Sequence, residues 1–173
     1  MRDNTVLLDD STDPSAIRLA EVFNIAVPFI DRHLIEGREG RCAIRTVDEE
    51  VSYGALAERV SRCGNALKSL DISAGQRVLM VVKDSPEFFY LLFGAIKMGA
   101  VPVPVNTIMR ADDYRYLIED SECRAVVYSP EFAAAVEAAI EGADHEPAHA
   151  LMTEGRGALG DHMARASTDL APA

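Results

Sequence analysis

The chain has 173 residues, of which 49% are hydrophobic and 26% charged, a composition that buries a core and argues against disorder. Its net charge of -11 at pH 7 repels a phosphate backbone, so nucleic acid is not an expected partner. No apolar run approaches the ~18 residues of a bilayer span, and "MRDNTVLLDDSTDPS" lacks the basic start and apolar core of a secretory leader. A cytoplasmic protein without a membrane partner is expected.

In chain order, residues 1–16 read as a loose polar arm. From Ala16 to Ile35 apolar residues recur at helical spacing around Pro28, which predicts two short helical pieces with the proline in the first turn of the second. Gly37 and Gly40 end it. "RCAIRTVDEEVSY" alternates around Asp48 to Glu50 and predicts a small antiparallel hairpin. Ser52 is placed to cap a helix whose apolar face runs through Tyr53, Leu56, Ala57, Val60, Cys63, Leu67 and Leu70.

"RVLMVVK" is an unbroken apolar run of strand length, the mark of a strand covered on both faces. Asp84 or Ser85, then Pro86, open the next helix, and Gly99 closes it. Val101 to Val105 reads as a strand, yet Pro102 and Pro104 each remove a backbone donor. That predicts an edge strand, or one whose donors on one side are not needed. A helix near Ala111 to Asp120, a strand at 124–129 and a helix from Pro130 to about Glu141 follow.

Alternating strands and helices with short connections predict a three-layer α/β sandwich on a mostly parallel sheet. The α/β unit is expected over residues 17–141, and 142–173 as a weakly structured segment in which "HALMT" supplies one more strand and the rest is loop or a short helix. Ligands of such sheets collect beyond the carboxyl ends of the strands. Asn106 to Arg110 leaves one such end.

Several patterns resemble chemistry. "HEPAH", His145 to His149, matches the H-E-x-x-H zinc pattern, but Pro147 opposes the continuous helix that pattern needs. "GRGALG", Gly155 to Gly160, matches a dinucleotide fingerprint without a good core strand before it or an acidic residue about 20 positions later. Both are expected to be loops. The carboxylate pairs Asp112 with Asp113 and Glu49 with Glu50 read as capping and turn residues. Ser129 has no neighbouring histidine to make it a nucleophile. Cys42, Cys63 and Cys123 sit in apolar surroundings without metal-ligand spacing and are expected as small buried hydrophobes. No catalytic residue and no metal site emerges.

"SYGALAERV", "GAIKMGAVPVPVN" and "DDYRYLIEDSECRAVVYSPEF", in that order, resemble the amino-terminal part of the adenylate-forming acyl- and aryl-CoA ligases, nearest to those acting on benzoate. The resemblance covers about residues 22–141. It implies an enzyme that uses ATP and magnesium to turn an aromatic carboxylate into an acyl-adenylate, then transfers the acyl group to coenzyme A. It also implies that the phosphate loop, the magnesium-side glutamate and the catalytic lysine lie downstream, so this chain is expected to be an inactive fragment with no tightly bound cofactor.

By the same resemblance, the loop holding Asn106, Thr107 and Arg110 lies near the coenzyme A or acid entrance, with Arg110 facing a phosphate. On their own these residues read as a turn and a solvated arginine. A truncated core is also expected to expose apolar surface and self-associate. The alternative to a ligase fragment is an interaction or regulatory module that keeps the fold without the chemistry.

Overall fold

The computed structural model describes residues 21–173; the arm expected over residues 1–16 and the start of the first helical piece lie outside them. Pro28 sits in the first turn of a π-helical turn, Val27–Asp31, which continues as α1, Arg32–Ile35. Gly37 ends it at φ +68°, a conformation open to glycine at no steric cost. The hairpin pairs β1, Cys42–Arg45, with β2, Glu50–Ser52. Thr46 Oγ1 closes its turn by accepting from the Asp48 and Glu49 N–H groups.

Ser52 caps α2, Tyr53–Ser69, by accepting from Ala55 N at 3.2 Å. There follow β3 (Arg77–Val81), α3 (Pro86–Lys97), β4 (Val101–Pro104), α4 (Ala111–Ser121), β5 (Ala125–Tyr128) and α5 (Ala133–Gly142), the last entered through a 3₁₀ turn at Pro130–Phe132. Ser85 holds the position before α3 without a side-chain cap bond. Residues 142–173, expected to be weakly structured, contain the predicted strand as β6, His149–Met152, and a seven-residue α6, Leu159–Arg165.

The four core strands run in the order β4-β3-β5-β6, all parallel. Alternation along β3 divides the core. Val78 and Met80 join α2, α3 and Leu159 of α6 in one cluster, while Leu79 and Val81 join Tyr114 and Ile118 of α4 and Val136 and Ala139 of α5 in another. Helices therefore cover both faces, which makes three layers and accounts for the unbroken apolar run of β3.

β4 is an edge strand. Val101 N donates to Gln76 O at 2.8 Å and Val105 N to Met80 O at 3.1 Å. Strand alternation then turns positions 102 and 104 to the open side, where no donor is required. The two prolines thus remove the two N–H groups that would have pointed into solvent.

One expectation fails. Cys63 and Cys123 are buried, but Cys42 is exposed. It lies on a two-stranded hairpin whose Ala43 and Ile44 take the core side, and its thiol donates to Ile44 O at 3.4 Å on the exposed strand. After α6 the chain runs across α2 as an extended strap. Asn65 Nδ2 donates to Ser167 O and Asp169 O, Arg62 Nη1 donates to Ala166 O, and Leu170 is buried. Its side chain sits over Gly64, whose missing Cβ leaves it room.

Candidate functional site

The connection from β3 leads to β4 on one side, and the connection from β5 leads to β6 on the other. Strand order therefore reverses between β3 and β5, and the crevice beyond their carboxyl ends is the default ligand position. Three charged side chains meet there. Lys83 follows β3 and its Nζ lies 3.2 Å from Glu131 Oε1 and 3.9 Å from Glu154 Oε1. The hydrogen bond to Glu131 raises the Lys83 pKa. Glu131 is held below the usual carboxylate range by its own backbone N–H and by Lys83.

Ser129 is fully buried and its Oγ accepts from Lys83 N at 3.1 Å. It ties the ends of β3 and β5 together, and no histidine is bonded to it. Tyr128 donates to Glu137 at 3.0 Å, and burial with that carboxylate pushes its phenol up to about 12.

Beside this crevice, on the α2/α3 face, opens a cleft of 490 Å³. Arg59 bonds the Tyr90 hydroxyl and lies 5.3 Å above its ring centroid. Burial raises the Tyr90 phenol although Arg59 opposes it. Glu49, Glu87, Glu154 and Asp161 outnumber Arg59 and Arg62 around the cleft, an excess of carboxylates that repels a polyphosphate.

The glycine motif follows β6 and its last two residues, Leu159 and Gly160, open α6, the sequence order a dinucleotide loop would have. Gly155 and Gly157 take positive φ. Three of its backbone donors are already used: Gly157 N bonds Asp161 Oδ2 at 2.7 Å, Ala158 N bonds Gly155 O, and Gly160 N bonds Thr153 O. A carboxylate occupies the place a phosphate would take.

The two imidazoles of "HEPAH" are not on a helix. His145 Nε2 is 2.9 Å from Cys123 O and His149 Nε2 is 2.7 Å from Leu70 O. Among the described residues no group of three His, Cys, Asp or Glu side chains is placed to hold a metal ion.

The β4–α4 loop is a built turn. Asn106 Oδ1 accepts from Ile108 N at 3.0 Å, and Asn106 O accepts from Tyr114 Oη at 3.1 Å. Thr107 is half-buried, and Arg110 is exposed just before α4. Asp113 caps this start by accepting from Arg110 N at 3.0 Å, and Asp112 faces Arg115. The carboxylate pair is structural. Sequence reasoning missed Lys83, although a cation ending an apolar core run marks a strand's carboxyl end. The Arg59–Tyr90 pair, 31 positions apart, has no local signal.

Residues 32–169 match the AMP-binding enzyme family. The chain is 42% identical over 123 residues to the 4-hydroxybenzoate–CoA/benzoate–CoA ligase of Rhodopseudomonas palustris, covering 71% of this chain and 23% of that protein. It is 40% identical over 124 residues to the benzoate–CoA ligase of Thauera aromatica, covering 71% and 24%. The fold superposes on a benzoate CoA ligase from Burkholderia xenovorans LB400 with a TM-score of 0.80 at 27% identity, over 88% of this chain and 30% of that one. The chain thus spans about a quarter of the length of the curated relatives it matches.

Proposed function

The chain belongs to the AMP-binding enzyme family, and on that premise we propose that it is the amino-terminal α/β portion of an ATP-dependent ligase for a benzoate-type acid and coenzyme A. The observation that carries this reading is the sequence shared with two ligases named for benzoate. The reaction has two steps. The carboxylate oxygen attacks the α-phosphorus of ATP and pyrophosphate leaves; the thiol of coenzyme A then displaces AMP to give the thioester. ATP, its magnesium ion and coenzyme A are the cofactors of that whole enzyme, which we place in the cytoplasm.

The described residues do not fit ATP and magnesium on their own. The glycine loop is closed by Asp161, the 490 Å³ cleft carries excess carboxylates, and no metal-holding group is present among the described residues. No catalytic step is therefore assigned to this chain's side chains. Its contribution is a rigid layered support, on which Ser129 fixes the ends of β3 and β5. That lack fits the fragment reading and equally the second reading, a non-catalytic interaction module.

For the β4–α4 loop we assign Arg110 to the phosphates of coenzyme A, with Asn106 and Thr107 shaping the turn that presents it. No hydrogen bond or ion pair engages the Arg110 guanidinium among the described residues, and Arg110 is exposed on the loop that follows the carboxyl end of an edge strand.

The test replaces the matching region of the Thauera aromatica ligase with these residues. The chimera is expected to support benzoate-dependent ATP–pyrophosphate exchange, and the 173-residue chain alone to support none. A folded but inactive chimera favours the interaction module, and turnover by the chain alone refutes the fragment reading. Within the chimera, Arg110→Ala should raise the KM for coenzyme A roughly two- to fivefold, as for an exposed ion pair. The exchange step, which needs no coenzyme A, should not change.

A further inference from the structure

A second cleft lies on the far side of α2, and three elements each bring one polar side chain to its floor. Asp31 closes the π-helical turn, Ser61 lies within α2 and Lys97 ends α3. Lys97 Nζ donates to Asp31 Oδ1 at 2.8 Å and to Ser61 Oγ at 3.3 Å. The lysine side chain is 6% exposed and the aspartate 16%.

An ammonium carries three donor hydrogens. The third has no acceptor among the described residues, and neither the Ser61 hydroxyl hydrogen nor Asp31 Oδ2 has a partner there. Buried polar groups left unpaired are costly and ask for an explanation. The π-helical turn that delivers Asp31 is itself a rare element, found disproportionately at functional sites.

Over this floor the cleft has a volume of 1210 Å³ and walls that include Val22, Leu34, Ile35 and Pro172. Apolar walls above a few convergent polar groups are the general form of a small-molecule site. We propose that this cleft binds a neutral molecule with an apolar body through a hydroxyl group. The hydroxyl oxygen accepts from Lys97 Nζ and Ser61 Oγ, and its hydrogen is donated to Asp31 Oδ2.

The surrounding charges select this class. Asp31, Glu58 and Asp169 against Lys97 and Arg62 disfavour a carboxylate, and Lys97 disfavours an amine. The inference rests on this cleft's own lining and stands whether or not the ligase reading holds.

The test titrates phenol, with benzoate as the charged counterpart, into the 173-residue chain while following the NMR signals of residues 31, 61 and 97. Phenol should give saturable shifts at these positions and benzoate none. Ser61→Ala should weaken phenol about three- to tenfold, the loss of one hydrogen bond, with an unchanged circular dichroism spectrum. Ile35→Glu, at a wall position 66% exposed and so harmless to folding, should weaken it as well. Absence of saturable shifts, equal binding of benzoate, or unchanged phenol affinity in both variants would overturn the assignment.

Discussion

His33 shows how much a single ring depends on its protonation state. It lies flat on Tyr53, with centroids 3.6 Å apart and planes at 13°, and its Nδ1 accepts from Arg38 Nε at 3.0 Å. That bond requires the neutral imidazole. Burial first, and the Arg38 guanidinium second, lower its pKa from the ordinary 6.5. Well above 6.5 neither the folded nor the unfolded chain holds the proton, so the residue adds no pH dependence. Below 6.5 the unfolded chain takes up a proton that the folded one resists, and stability falls with pH. Calorimetry should find Tm dropping more steeply in the native protein than in His33→Gln as pH falls from about 7 to about 5; equal slopes would refute this. At this scale the sequence was legible where a residue acts locally: Ser52 as a cap, Pro28 as a first-turn residue, Asp113 as a capping carboxylate. It was not legible where the partner is distant. Nothing near Cys42 states that its hairpin has one dry side, and nothing near Arg59 announces Tyr90.

The contact between α2 and α3 is made by two glycines. A Cβ on Gly94 would lie 2.9 Å from Cys63 Cβ and 3.0 Å from both Val60 O and Gly64 N, and one on Gly64 would lie 2.8 Å from Gly94 O. The helix backbones approach so closely that no side chain fits between them. Gly94→Ala must separate the helices or strain them, at a cost of about 1–3 kcal/mol. For a chain of this size that lowers Tm by roughly 2–12 °C. Gly142→Ala is the control, because its Cβ would meet nothing nearer than 3.6 Å. Thermal unfolding of the two variants decides the point, and an equal Tm for both would reject it. The periodicity of α2 and the apolar run of β3 made those elements readable from sequence. The prolines of β4 raised the right question, but its answer needed the strand order. The seven-residue α6 follows a glycine-rich turn and is too short for periodicity to decide between the loop and the short helix expected there.

Several large apolar side chains are exposed among the described residues. Val22, Phe29 and Ile35 are 45%, 55% and 66% exposed, and Phe29 stacks on Phe93 at 6.2 Å. We expect self-association through this surface, opposed by the net charge of -11. Salt screens that repulsion, so light scattering should report a mass that rises with ionic strength and falls again in Phe29→Asp. A monomer at every salt concentration would exclude it. The layered architecture was readable because it depends on the sum of many local patterns. The candidate site was not, because Lys83, Glu131 and Glu154 become neighbours only when three strand ends align. Finally, the two borders of the sheet are unequal. Beyond β4 the prolines leave an incoming backbone carbonyls to donate to but no N–H to receive from, whereas Ala150 and Met152 of β6 keep theirs. Addition of a further strand to this sheet is therefore unequal: the imino acids disfavour it at one margin, and the other keeps both kinds of backbone group.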